Sequence, residues 1–68
     1  MFIRIDTKDT VVIVNSYDIS HIYKEDEKIE IYYKNNKEYT SITAGKESIN
    51  ELFEYLCNEL EVKWCFAY

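Results

Sequence analysis

Apolar residues alternate with polar ones from Phe2 to Asp6 and along the inward side of Lys28 to Ala44, and recur at three- and four-residue spacing from Ile49 to Leu60. A period of two reads as strands with one face inward, and the longer spacing as an amphipathic helix. The clearest unit is Lys28 to Ala44, which reads as a β-hairpin. Two runs rich in Ile, Tyr and Thr meet at Asn35-Asn36, and asparagine tolerates the positive φ of a two-residue type I′ turn better than other non-glycine residues. With Lys34 opposite Lys37, Ile29 faces Ile42, Ile31 faces Thr40 and Tyr33 faces Glu38 on one side. Tyr32 faces Tyr39 and Glu30 faces Ser41 on the other. The first side is the expected core.

Upstream, Phe2 to Asp6 alternates as a short strand, and Thr7-Lys8-Asp9 is a polar turn. Thr10 to Val14 is a second strand, apolar without interruption, which predicts that both of its faces are covered. Asn15 to Asp18 is a tight corner of residues that hydrogen-bond their own backbone. Ile19 to Lys24 is a third strand with Ile19 and Ile22 inward, and Glu25-Asp26-Glu27 is an acidic turn. Downstream, Ser48-Ile49-Asn50-Glu51 matches a capping box, predicting a helix that starts at Ser48. Ile49, Leu52, Phe53, Leu56 and Leu60 form its apolar stripe, and Glu47, Glu51, Glu54, Asn58 and Glu61 fall opposite. The expected fold is α+β: an antiparallel β-meander of four to five strands with one C-terminal amphipathic helix packed on one face.

Sixty-eight residues make a single small domain, 1–68, with 47% hydrophobic and 16% aromatic residues, one Gly and no Pro. A chain of this size buries only roughly 60% of its unfolded surface, so its core is small. Thirteen acidic against eight basic residues give a net charge of −5, and Arg4 is the sole arginine. That balance disfavours binding to a phosphate backbone. No apolar run approaches the roughly 18 residues of a membrane span, and the first residues lack the pattern of a signal peptide, so a cytoplasmic location is expected. Cys57 and Cys65 form no C-x-x-C pair, and on one helix they would stand roughly 12 Å apart. They read as reduced thiols, Cys57 as a small buried hydrophobe.

No residues spell out a reaction. His21 is the sole histidine, and strand geometry turns the adjacent Ser20 to the opposite face, which removes the nearest nucleophile. No catalytic, cofactor or metal residues are expected. The seven tyrosines are more informative, because Tyr gives large contact area for little entropy. Tyr32 and Tyr39 are expected on the face away from the helix, joined by Val12 and Val14. The tail residues Trp64, Phe66 and Tyr68 either cover that face from within the chain or extend it as a contact surface.

From Val14 to Leu56 the residues Val14-Asn15, Ile19, Ile22, Asn36-Lys37, Glu47-Ser48 and Leu56 stand where the small flagellar FlbD-like proteins carry a Leu-Asn pair, an Ile-rich strand, a hairpin and a Glu-Ser helix start. The chain resembles that family over about two thirds of its length and departs from it at Asn36, where the family pattern has Gly, and in the aromatic tail. A weaker similarity, around Val14-Asn15, is to the closing half of LytTR-type DNA-binding domains. Together these readings give a non-catalytic protein-interaction module, self-associating as a homodimer. The alternative is a small acidic regulator or inhibitor of the kind mobile elements encode. It would dock Glu47, Glu51, Glu54 and Glu61 on a basic, nucleic-acid-binding site of a partner protein.

Overall fold

In a computed structural model, which describes residues 1–63 and Ala67, every expected strand forms. They are β1 (Phe2–Asp6), β2 (Val11–Asn15), β3 (Ile19–Lys24), β4 (Lys28–Tyr33) and β5 (Tyr39–Thr43), followed by the helix α1 (Lys46–Glu59). The fold is α+β, but the strands do not make one meander. They divide into an antiparallel pair β1-β2 and an antiparallel three-stranded sheet in the order β3-β4-β5. The division falls at the corner after β2. There the Asn15 side chain accepts a 3.1 Å bond from the Tyr17 amide and opens a single 3-10 turn, Ser16–Asp18, which swings the chain away before β3 can pair with β2.

In β1-β2, Ile3 lies opposite Val14 and Ile5 opposite Val12, all facing inward. The uninterrupted apolar run of β2 therefore does not mean that both faces are covered. Val11 and Ile13 are 53% and 64% exposed, and Phe2 is 72% exposed. Among the described residues, nothing encloses that side.

The register of the β4-β5 hairpin is the expected one, with Ile29 opposite Ile42, Ile31 opposite Thr40 and Tyr32 opposite Tyr39. Its turn is different. Neither Asn35 nor Asn36 has a positive φ, so no type I′ turn forms. The strands end at Tyr33 and Tyr39, and the Asn36 side chain accepts from the Glu38 amide at 3.0 Å. Lys34 donates its amide to the Asp18 carbonyl at 2.8 Å, so the loop is tied to the corner after β2 instead of closing tightly on itself. Glu38 thus belongs to the loop and does not face Tyr33, whose hydroxyl hydrogen-bonds Thr40 instead. The register holds regardless of the turn, because a slip by one residue would carry Ile29, Ile31 and Ile42 from the core to solvent.

The helix begins earlier than the sequence pattern suggests. Gly45 is the extended N-cap, Ile49 donates to its carbonyl at 3.0 Å, and Ser48 lies inside the first turn. The capping box is not formed. Only Ala44 and Gly45 link β5 to α1, so the chain coils as soon as it leaves the sheet. At the other end the Glu61 amide bonds to Asn58 and the Val62 amide to Cys57, a Schellman closure with Glu61 in the left-handed region at φ 54°. A side chain there opposes the local geometry that glycine adopts freely. Glu61→Gly is accordingly expected to stabilise the fold by about 1 kcal/mol, seen as a rise of about 4–8 °C in the melting temperature by circular dichroism. No change, or a fall, would count against the strain.

Ile3, Ile5 and Val14 from the small sheet, Ile29, Ile31 and Ile42 from the larger one, and Ile49 and Leu56 from the helix form one core. Leu52, Phe53 and Leu60 extend it, so the apolar stripe of α1 packs as its spacing predicts. Among the described residues no polar side chain is buried. The helix lies over β4, so the reverse face of the three-stranded sheet is one that the helix does not cover.

Candidate protein-binding face

Alternation along β4 and β5 turns Glu30, Tyr32, Tyr39, Ser41 and Thr43 away from the helix. In β3 the period of two is broken by an irregularity between Ile19 and His21, after which His21 pairs with Tyr32 and Tyr23 with Glu30. Four rings therefore meet on that face. His21 and Tyr32 stack with centroids 4.7 Å apart and planes 5° from parallel, and Tyr32 and Tyr39 stack at 5.0 Å and 19°. Tyr23 stands edge-on to His21 at 5.2 Å and to Tyr32 at 5.6 Å. The spacing has a simple origin. Strands lie about 4.8 Å apart, which matches the separation of stacked rings, so one aromatic residue per strand at equal height makes a three-ring column across the sheet.

Tyr39, at the outer strand, is 50% exposed, and Tyr23 58%. Desolvation among these rings raises the Tyr32 phenol above its ordinary value, and Glu30 and then Tyr39 and Tyr23 add to the effect. Lys28 links Glu25 and Glu30 at 3.8 and 3.9 Å along the flank of the face.

Tyr32 and Tyr39 are brought together as expected, but Val12 and Val14 do not join them. Val14 is buried in the core and Val12 packs against it from the small sheet, because β2 belongs to a different sheet. Trp64, Phe66 and Tyr68, like Cys65, lie outside the described residues. The residues missed are His21 and Tyr23. Their signal was available: Ile19 and Ile22, three apart, can both point inward only if the strand carries an extra residue between them, and that residue sets His21 and Tyr23 outward. The same irregularity overturns the expected separation of Ser20 from His21. Ser20 Oγ lies 3.0 Å from His21 Nδ1 in an exposed hydrogen bond. Among the described residues no carboxylate bonds the imidazole, whose ring is held in the stack.

Glu47, Glu51 and Glu54 are exposed on α1, and none enters an ion pair among the described residues. Glu61 stands apart, beyond the helix end. A groove of about 420 Å³ between α1 and β3 is lined by Ile19, Ile22, Phe53, Leu56, Cys57 and Val62. Cys57 is half-buried there, and desolvation, followed by Glu54, raises its thiol above the ordinary value, which favours the protonated form. No three His, Cys, Asp or Glu side chains among the described residues are placed to hold a metal ion. No helix among them is long and apolar enough to cross a membrane.

No family model, curated protein or solved structure gives a significant match to this chain.

Proposed function

We propose that this chain is a non-catalytic, cytoplasmic protein-interaction module that associates with itself through its three-stranded sheet, by the aromatic face or by an edge strand beside it. The observation that carries this reading is the column of His21, Tyr32 and Tyr39 braced by Tyr23, left uncovered by the helix. Pre-stacked rings lose little freedom when a partner covers them, and tyrosine combines apolar area with a hydroxyl that can bond across an interface. The likeness to the flagellar FlbD-like proteins is compatible with such a role and rests on Val14-Asn15, Ile19, Ile22, Asn36-Lys37, Glu47-Ser48 and Leu56.

Sedimentation equilibrium tests the reading. Because each copy carries a net charge of −5, added salt should screen repulsion and strengthen a homodimer. A strict monomer at concentrations up to about 1 mM would refute self-association. One observation favours a second reading, that of an acidic regulator docking on a basic site: Glu47, Glu51 and Glu54 are exposed and unpaired among the described residues. Association of that kind would weaken with salt, the opposite sign.

A further inference from the structure

Strand β5 is the outer strand of its sheet, and its backbone is bonded on one side only among the described residues. The phase of the ladder says which groups are free. Ala44 donates to the Glu27 carbonyl at 3.1 Å, and alternate residues of an antiparallel strand bond to the same side. Thr40 and Ile42 therefore exchange bonds with β4, while Tyr39, Ser41 and Thr43 aim their N–H and C=O groups outward.

Edge strands are normally guarded by charge, proline or a bulge. The sequence Tyr39-Thr40-Ser41-Ile42-Thr43 has no charge and no proline, and its pairing with β4 has no irregularity. The other edges are guarded. β3 carries the irregularity beside Ser20 and ends at Lys24, and β1 carries Arg4 and Asp6. β2 is uncharged, but Ile13 and Asn15 line a groove of about 430 Å³ that Tyr33, Asn35 and Asn36 also border, so an incoming strand would meet that loop. Among the described residues nothing comparable stands beside β5. The helix lies over β4, and Val62, which follows α1, lines the groove beside β3 at the far side of the sheet.

Resting on the self-association proposed above, we infer that the outer edge of β5 pairs antiparallel with β5 of a second copy, Ser41 opposite Ser41 on the two-fold axis, joining two three-stranded sheets into one of six strands. This register brings each outward amide and carbonyl of Tyr39, Ser41 and Thr43 to a partner. It sets Tyr39 of one copy opposite Thr43 of the other, an aromatic and β-branched pair on the aromatic side. No like charges meet along the seam. For chains of net charge −5, an uncharged strand is where two copies approach with least repulsion. The outward groups of Tyr39, Ser41 and Thr43 are self-complementary in this register, so a second copy fits the edge, and the aromatic columns of the two copies lie on one continuous face.

Ser41→Pro tests the inference, because it removes an amide that points outward and leaves the bonds to β4 intact. With an unchanged circular dichroism spectrum, it should raise the dimer dissociation constant about a hundredfold, two hydrogen bonds being lost by symmetry. A folded Ser41→Pro protein that dimerises like the parent, with dimerisation abolished instead by Tyr32→Ser, would overturn edge pairing while leaving self-association through the face. A monomeric parent would overturn both. Should Ser41→Pro unfold, Ser41→Cys in a Cys57→Ser, Cys65→Ser background decides the matter. Mild oxidation should link the two copies through residue 41, as facing Cα atoms about 5.5 Å apart permit, and should not link a Lys8→Cys control. Absence of the residue-41 link would overturn the inference.

Discussion

Replacing Ile29 by alanine is expected to leave the chain largely unfolded at 25 °C. Ile29 is 0% exposed, in β4, the middle strand of its sheet, opposite Ile42 and in one core with the helix residues Ile49 and Leu56. Truncating such a side chain removes about 2–5 kcal/mol through lost transfer energy and the cavity left behind. A domain of this size holds about 3–10 kcal/mol in all, with no buried polar group among the described residues to assist. Urea titration followed by circular dichroism should show the folded baseline shortened or absent. A variant that melts within about 1 kcal/mol of the parent would mean that the core collapses to fill the gap.

Tyr39→Ser should weaken association with little effect on folding. Tyr39 is half exposed, so its removal costs the monomer about 1 kcal/mol, the worth of one stacked cross-strand pair. At an interface an anchoring tyrosine contributes about 2 kcal/mol or more, which weakens dimerisation about thirtyfold. Tyr17→Ser is the matched control, since Tyr17 is exposed but lies on the corner after β2, away from the ring column. Equal losses for the two variants would show that the association does not use the aromatic face.

Much of this architecture is legible in the order of residues, and the parts that are not share a cause. The β4-β5 register follows from Ile29, Ile31 and Ile42, since any one-residue slip exposes them all. The packed side of α1 follows from Ile49, Leu52, Phe53, Leu56 and Leu60. By contrast, Asn35-Asn36 suggested a tight turn, but the loop is set by the Lys34 bond to Asp18, a contact between segments sixteen residues apart. Ser48 suggested a cap, but the helix start is set by where β5 ends. Val12 and Val14 suggested part of the tyrosine face, but the break after β2 puts them in another sheet.

The sequence by itself determined which residues of β4, β5 and α1 turn inward, because there burial follows the hydrophobic period and period is a local property. It also placed Tyr32 opposite Tyr39. Only the tertiary structure decided that the strands separate into two sheets, that His21 and Tyr23 complete the ring column, and that β5 is the outer strand of its sheet. Those outcomes depend on which strand finds which neighbour, a matter of hydrogen bonds between segments distant in the chain, and no spacing along the chain encodes them.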